Sequence, residues 1–493
     1  MVLLLVACST PAPPGPQLAG PPSPDSPDEA RPDVLVVVID TLRADRTFIG
    51  GNSRMAGSQL AALAASGVTY LDTTAPGSWT WPSHASLFTG EPPWVHGAHF
   101  SPDPSHAIAM DHNRLAMSPM RTDLPTLAER FGAAGYRTVA LFENTFLDPA
   151  LGLTRGFTRA EPHPKDLVPQ ALAAMQGDDP LFLFVNLMAP HAPYEVRPLP
   201  WVLPHRERMK EGRAPGWILP YLSPSGVDLT RGNELRGWDL YARGDLVIPP
   251  EDMAMLLDLY DGEVAAADHQ LSQLVKGWGA AGRSGIVVAT SDHGEYFGEH
   301  GLMEHGRTVW REVTHVPLVV VAPGRVPAGR VVNTPVQLQD VYPTVLELAG
   351  LMDPAWSLVD AMEGHPRPHP IQAEEWTDLY KANVAPVYRT GWRLYREGAL
   401  ALVYATDGTR TELYDVAADP RMATDLTATR VSDAQRLATA ARDAFPAYVS
   451  GPGVRADLSP ESIQVLEAMG YLDPGPPALP AAPAPPTVPP SAP

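Results

Sequence analysis

The chain has 493 residues, including 56 prolines and 40 glycines, and its 56 acidic against 36 basic side chains give a formal net charge of −20. This acidity, without any run of lysine or arginine, argues against electrostatic binding to nucleic acid or to an anionic membrane surface, because both need a basic patch. The single cysteine, Cys8, excludes a disulfide framework and any cysteine-ligated metal site.

The two ends of the chain differ in composition from its body. Met1–Ala7 is apolar, and Leu5–Cys8 resembles the lipobox after which bacterial lipoproteins carry lipid on an N-terminal cysteine. A buried apolar N-terminus with an incidental cysteine is the alternative, since the run lacks the basic residues and the length of a usual signal. We expect a signal at residues 1–8, a Pro-rich tether at 9–32, a disordered Pro-rich tail at 474–493, and a lipid anchor to a membrane of the bacterial cell envelope, periplasmic or on the outer surface.

Short apolar runs alternate with stretches of helical period between residues 33 and 350. The runs are rich in Val, Ile and Leu, which is typical of strands buried on both faces of a parallel sheet. They are Asp33–Ile39, Thr138–Phe142, Leu181–Leu187, Gly285–Thr290 and Val316–Val321. Helices are predicted over Gly57–Ala65, Leu124–Ala133, Met253–Val275 and Val336–Leu348. The sequence therefore predicts an α/β fold with three layers, whose ligand crevice lies at the carboxyl ends of the strands.

After about residue 350 the pattern changes to short alternating segments. Trp392–Tyr395, Leu400–Tyr404 and Thr411–Tyr414 are typical of antiparallel strands, with a turn at Asp407-Gly408, and a helix is predicted from Ser432 to Ala444. We interpret residues 33–350 as a catalytic domain and 351–473 as a smaller α+β subdomain packed on it.

Acidic and imidazole side chains follow two of the predicted strands. Asp40 comes directly after the first run, and Asp292-His293 comes after Gly285–Thr290. One Asp after a strand is commonly a helix cap or turn residue, but two strand ends carry such residues here. Carboxylate and neutral imidazole together favour Zn²⁺ or Mn²⁺, with Ca²⁺ as a further candidate. The sequence predicts one divalent metal ion at this edge of the sheet.

Thr80 lies at the predicted start of a helix, because Pro82 is favoured in a first helical turn. The unpaired amides and positive dipole end of a helix N-terminus favour an anion, and a metal contact would lower the pKa of the hydroxyl enough for nucleophilic attack. The alternative is that Thr80 is only an N-cap.

Six segments in chain order resemble the ordered motifs of sulfatases, which belong to the alkaline phosphatase superfamily. They are Asp40–Asp45, Thr80–Gly90, Asn186–Tyr194, Tyr260–Asp268, Ser291–Gly301 and His315–Gly324. Two later segments, Gly408–Pro420 and Leu458–Leu472, are similar to segments that close many sulfatase-like chains. The resemblance runs from about residue 32 to 472.

The resemblance implies a sulfatase-like fold, an anionic ester as substrate, and a divalent metal held by Asp40, Asp292 and His293. It places Thr80 at the nucleophile position and in contact with that metal. The substrate would be an ester of a glycan or of a lipid headgroup.

Three further histidines match positions of the family. His191 and His305 fall where sulfatases place groups that bind the ester oxygens or protonate the leaving group. His300 also matches, and we interpret it as a residue of the fold. Specificity is expected from the segment His191–Pro249, whose tryptophans Trp201, Trp217 and Trp238 are equally consistent with packing and with a sugar platform.

Three departures from the family pattern change the expected chemistry. Sulfatases oxidise a Cys or Ser to formylglycine and brace it with an arginine, whereas this chain has Thr80 and His84 at those positions. Threonine is not a substrate of that oxidation, so no formylglycine is expected, and His84 becomes a further catalytic candidate. Thr41 stands where a second acidic ligand is usual.

These features leave three functions open. The first is a metal-dependent hydrolase of sulfate, phosphate or phosphonate esters that uses Thr80 without formylglycine. The second is a transferase of the phosphoethanolamine type, which the threonine and the membrane anchor favour. The third is an inactive sulfatase-like protein that binds glycans, which the changes at His84 and Thr41 favour and the retained metal set opposes.

Overall fold

The computed structural model describes residues 31–101, 117–164, 166–212, 237–377 and 385–445, with short stretches at 108–109, 114–115, 217–218, 382, 456, 458–460, 462–463 and 466. The predicted signal, nearly all of the predicted tether and the predicted tail lie outside these residues, as do Cys8 and the side chain of Trp238. No helix within the described ranges combines the length and the apolar character that crossing a bilayer requires.

A nine-stranded sheet forms the centre of the molecule, in the order β12-β2-β11-β8-β1-β7-β5-β6, with β13 paired to β2. Its strands are β1 (Asp33–Ile39), β2 (Val68–Thr74), β5 (Arg137–Phe142), β6 (Arg159–Pro162), β7 (Leu181–Leu187), β8 (Gly285–Thr290), β11 (His315–Val321), β12 (Arg330–Val332) and β13 (Val336–Gln337). Two small ribbons pair β3 (Ile108–Ala109) with β4 (Arg114–Leu115), and β9 (Tyr296–Phe297) with β10 (Met303–Glu304).

Helices cover both faces of this sheet, which confirms the predicted three layers. Alternate residues of β1 enter two separate cores: Val36 packs with Phe88 on one face, and Val37 packs with Leu259 on the other. This alternation follows from the two-residue period of a strand, and it explains why the strand is apolar throughout.

The helices are α1 (Gln59–Ser66), α2 (Thr80–Thr89), α3 (Pro93–His96), α4 (Leu127–Ala133), α5 (Leu167–Ala174), α6 (Leu203–Lys210), α7 (Gly237–Arg243), α8 (Pro250–Ala280), α9 (Arg311–Thr314), α10 (Val341–Leu348), α11 (Leu358–Glu363) and α12 (Val431–Ala444). Helices α1, α2, α4, α8, α10 and α12 correspond to predicted helices, and the other six were not predicted. The prediction of a helix from Val336 was wrong at its start, because Val336 and Gln337 pair with β2 and the helix begins at Val341.

The sheet is mixed, and the prediction that Val316–Val321 is a parallel strand was wrong. This strand runs antiparallel to both of its neighbours, β2 and β8. Parallel strands need a long crossover, usually helical, whereas only short elements connect the end of β8 to the start of β11. The strands β8, β1, β7 and β5 are parallel to one another, as predicted.

A four-stranded antiparallel sheet follows in the C-terminal part: β14 (Ile371–Glu375), β15 (Trp392–Glu397), β16 (Leu400–Ala405) and β17 (Thr411–Asp415). The last three strands confirm the prediction, and β14 was missed. Asp72 of the central sheet accepts from Arg311 and Arg396, so a buried ion-pair cluster joins the two sheets.

Candidate active site

The carboxyl ends of four adjacent parallel strands supply the polar side chains of the site. Asp40 follows β1, Asp292 and His293 follow β8, Asn186 lies near the end of β7, and Asn144 comes just after β5. All five side chains are at most 1 % exposed. Their clustering follows from the sheet order β8-β1-β7-β5, because the ends of neighbouring parallel strands meet at one edge.

Asp40, Asp292 and His293 each direct one unpaired atom toward the others. Asp40 Oδ1, Asp292 Oδ2 and His293 Nε2 are buried and have no hydrogen-bond partner among the described residues. His293 Nε2 lies 3.6 Å from Asp40 Oδ1 and 3.4 Å from Asp292 Oδ2. One ligand atom from each residue lies within 4.8 Å of the others, a spacing that fits a single metal ion.

The remaining polar atoms of these three residues are held by the protein. Asp40 Oδ2 accepts from the amides of Asn144 (2.7 Å) and Asn186 (3.4 Å). Asp292 Oδ1 accepts from its neighbouring backbone N–H of His293 (3.0 Å), and His293 Nδ1 donates to the carbonyl of Gly294 (3.0 Å). This last bond leaves the lone pair of the neutral ring on Nε2, as a metal ligand requires.

Burial makes this cluster unfavourable without a cation. It raises the pKa of Asp40, and burial together with the charge of Asp40 raises the pKa of Asp292 well above its usual value. Burial also lowers the pKa of His293, so its ring is neutral. A divalent cation would relieve the repulsion between the two carboxylates. The donor set therefore fits such an ion, and its mixture of carboxylate and imidazole suits Zn²⁺ or Mn²⁺.

Thr80 is the first residue of α2, and it is 2 % exposed. The N-cap is Trp79, so the alternative that Thr80 serves only as an N-cap does not apply. Asn144 Nδ2 donates to Thr80 Oγ1 (2.9 Å) and to Asp40 Oδ2 (2.7 Å). One amide group thus ties the hydroxyl oxygen of Thr80 to a member of the metal group.

His84 lies one helical turn after Thr80 and is fully buried. Its Nδ1 donates to the backbone carbonyl of Thr80 (3.1 Å) and lies 3.5 Å from Asp292 Oδ2. Its ring contacts Phe88 and Phe184, and burial lowers its pKa to about 4. The neutral ring of His84 thus supports the first turn of α2 through its hydrogen bond to Thr80. A catalytic role for His84 stays a prediction.

His305 and His191 line the same side of the site. The His305 ring lies 4.4 Å from that of His293 and 5.0 Å from that of His191. His305 Nδ1 is 3.1 Å from the buried carboxyl of Glu295, which orients the ring. His191 is half-buried and its Nδ1 donates to the carbonyl of Ala192 (2.5 Å). The rings of His191, His305 and His293 thus lie next to one another, and the catalytic roles of His191 and His305 stay predictions.

Thr41 adopts an unusual backbone conformation next to Asp40. Its φ is +55°, a left-handed value that strains a β-branched residue, and its hydroxyl has no partner among the described residues. Tyr260 stabilises this turn, since its hydroxyl donates to the carbonyl of Thr41 (2.7 Å) and accepts from the backbone N–H of Arg43 (3.0 Å).

Other sequence-selected residues lie away from this cluster. His300 stacks on Trp310 at 4.6 Å and lies 3.3 Å from Glu312. Trp201 and Trp217 pack against the core that contains α8, and the guanidinium of Arg54 lies 5.0 Å from the Trp201 ring.

Sequence reasoning missed Asn144, Asn186 and Glu295. The sequence pattern could have indicated two of them. Asn144 comes just after a predicted strand, and Asn186 lies near the carboxyl end of another, which is where site residues are expected. Neutral amides are common in such places, and only the sheet order shows that both face Asp40. Glu295 lies two residues after His293, but its pairing with His305 depends on the turn between β9 and β10.

Comparison with known proteins identifies a family for the part of the chain that carries Asp40, Thr80, Asp292 and His293. The family model described as Sulfatase matches residues 32–351. The chain belongs to the sulfatase family. A protein named sulfatase from Formosa agariphila is 25 % identical over 441 residues, which covers 79 % of this chain and 82 % of that protein. The family belongs to the alkaline phosphatase superfamily, as the motifs predicted.

Two solved structures show that the fold of this sulfatase-family chain is shared. A 2-O GAG sulfatase has a TM-score of 0.62 at 18 % identity and covers 89 % of this chain and 100 % of its own. The phosphonate monoester hydrolase of Agrobacterium radiobacter has a TM-score of 0.60 at 20 % identity, covering 84 % of this chain and 94 % of its own.

Proposed function

We propose that this protein is a metal-dependent ester hydrolase that attacks sulfate, phosphate or phosphonate esters with Thr80 and needs no formylglycine. The observation that carries the proposal is the shared amide of Asn144, which holds Thr80 Oγ1 and Asp40 Oδ2 at hydrogen-bond distance from one nitrogen. A buried threonine hydroxyl at a helix N-terminus, tied to a metal-type cluster, has the placement of a nucleophile.

Asp40, Asp292 and His293 would hold the divalent ion. When bound, the ion supplies positive charge that stabilises an anionic threonine oxygen and the oxygens of the ester. The protein places Thr80 Oγ1 for attack through Asn144, whose N–H also stabilises negative charge on that oxygen. Thr80 is the first residue of α2, so the positive end of the helix dipole lies beside it.

The remaining residues act on the leaving group and on the covalent intermediate. Thr80 Oγ forms a bond to phosphorus or sulfur as the bond to the alcohol oxygen breaks and its own proton leaves to solvent. The departing alcohol oxygen would take its proton from His191 or His305, whichever ring is protonated in the substrate complex. Water then cleaves the threonine ester and regenerates the hydroxyl.

The charge of the site favours a substrate group with one negative charge. In the described part of the chain, no lysine or arginine side chain bonds to Asp40, Asp292, His293 or Thr80. The two carboxylates balance one divalent ion, and burial lowers the pKa values of His84, His293 and His305, which favours their neutral rings. A sulfate ester, a phosphate diester or a phosphonate monoester carries one charge, whereas a phosphate monoester carries two near neutral pH.

The test is a matched substrate panel. The purified protein, with its metal content measured, is assayed on p-nitrophenyl sulfate, bis-p-nitrophenyl phosphate, p-nitrophenyl phenylphosphonate and p-nitrophenyl phosphate across added Zn²⁺, Mn²⁺ and Ca²⁺. We expect at least one of the monoanionic esters to turn over faster than the phosphate monoester. No turnover by metal-loaded protein would favour the glycan-binding function, and transfer to an added alcohol in preference to water would favour the transferase.

Asn144→Ala should lower kcat about 10²-fold on the best ester of that panel, the cost typical of losing one positioned donor at an active-site oxygen. Metal content should fall less than in a variant of a direct ligand, because Asp40 keeps Asn186 as a donor. Asn186→Ala is the nearest control: Asn186 donates to Asp40 and makes no bond to Thr80, and its Oδ1 also accepts from the backbone N–H of Asn144 at 3.2 Å. Equal losses of kcat in the two variants would contradict the role of Asn144 at Thr80.

A further inference from the structure

Ser78, two residues before Thr80, is held by two other segments of the chain. Its backbone N–H and its hydroxyl both donate to Glu375 Oε2, at 3.2 and 2.6 Å. Its carbonyl accepts from the backbone N–H of Gly306 at 2.9 Å. Ser78 thus joins the chain that leads into α2 to the residue that follows His305.

Glu375 reaches Ser78 from the C-terminal sheet. It is the last residue of β14 and is only 2 % exposed, and the backbone N–H of the preceding Glu374 donates to the carbonyl of Pro76 at 3.0 Å. On the opposite side, Gly77 packs so tightly on the first turn of α2 that a Cβ atom there would lie 2.6 Å from Pro82 Cγ. The segment 76–78 is therefore clamped between β14 and α2.

We propose that Glu375 is a positioning residue for the reaction at Thr80, which it controls by fixing Ser78. The inference rests on the proposed function of Thr80. Holding Ser78 sets where α2 begins, and hence where Thr80 Oγ lies relative to Asn144. Through Gly306 the same contact fixes the backbone next to His305, so one carboxyl group from the C-terminal sheet sets the spacing between the nucleophile and the leaving-group histidine.

Removing the carboxyl group of Glu375 would release Ser78 and, through it, the backbone at Gly306. Ser78 is fully buried, so its N–H and hydroxyl would lose their acceptor without access to water, and the segment would have to move to satisfy them. A displacement of about 1 Å at a reacting group costs about 10²-fold in rate. Asp40, Asp292 and His293 make no hydrogen bond to Ser78 or Glu375 in the described residues, so substrate binding at the metal group should persist and the loss should fall mainly on kcat.

The experiment compares Glu375→Ala with Glu374→Ala in the full chain. Glu374 is buried on the same strand, but its carboxylate bonds to Arg393 and Trp376 and not to Ser78. We expect kcat to fall roughly 10²-fold in Glu375→Ala with KM little changed, and to fall far less in Glu374→Ala. Glu375→Gln should restore most of kcat, because its amide oxygen can accept from Ser78 and because burial raises the pKa of Glu375 to about 8, which makes a neutral side chain a close substitute.

Hydrogen exchange gives a readout that does not need a substrate. Peptides covering residues 76–83 should exchange faster in Glu375→Ala than in Glu374→Ala, at equal metal content. An unchanged kcat, or equal losses in both variants, would overturn the inference. If the wild-type protein cleaves no ester, the proposed function fails while exchange still decides the inference: faster exchange only in Glu375→Ala supports it, and equal exchange overturns it.

Discussion

Thr80→Ala should reduce turnover by about 10⁴-fold or more while leaving the bound metal unchanged. Losses of this size are typical when a nucleophile is removed from a set of groups that act together. The metal should remain because Asp40, Asp292 and His293 keep the hydrogen bonds that orient them. Asn144 loses its bond to Thr80 but can still donate to Asp40. The measurement is kcat/KM on the best ester of the panel, with metal content determined on the same sample.

Thr80→Ser is the matched control for this prediction. Serine keeps the hydroxyl that accepts from Asn144 but loses the methyl group, so it should retain a substantial part of the activity and the same metal content. A Thr80→Ala variant with wild-type activity would show that another group, such as water activated at the metal group, attacks the ester. Trapping the threonine ester by mass spectrometry in acid-quenched protein would identify the attacking oxygen directly.

The charged part of the site could be predicted from the sequence because its members come at the ends of apolar runs. Asp40 directly follows Val34–Ile39, and Asp292-His293 comes just after the run Ile286–Ala289, so their place at the edge of the sheet follows from local pattern alone. The position of Thr80 likewise follows from Pro82 in the first turn of α2. The structure also shows which atoms of these side chains point toward one another. Their orientation depends on hydrogen bonds with Asn144, Asn186 and Gly294, which the sequence pattern does not reveal.

The rest could not be predicted, because it depends on pairings distant in sequence. The polar residues of β2, VTYLDTT, interrupt its apolar pattern, and the strand is defined by its pairing with β11, β12 and β13. The direction of β11 depends on its connection and not on its composition. The contact of Glu375 with Ser78 spans 297 positions, and an isolated Glu-Glu pair at a strand end gives no sign of it.

Asp292→Ala should abolish both metal binding and turnover. The substitution removes one of three converging ligand atoms, and loss of a direct ligand should exceed the 10- to 100-fold cost in affinity that is typical of outer contacts. Without the ion, Thr80 loses the charge that would stabilise its anionic oxygen, so turnover should fall to the level of Thr80→Ala. Metal content after dialysis and kcat/KM on one sample check both expectations.

The metal-free protein gives this prediction an independent readout. Asp40 and Asp292 repel each other in a buried site, so Asp292→Ala should leave the Tm of the metal-free protein unchanged or raise it. Added metal at 100 times its Kd should stabilise the wild type by about 2.7 kcal/mol and leave the variant unaffected. Asp261→Ala is the control: Asp261 is a buried carboxylate paired with Arg46 and Arg54, so its loss should lower the Tm yet preserve the metal-dependent increase. A metal-dependent increase retained in Asp292→Ala would place the ion elsewhere.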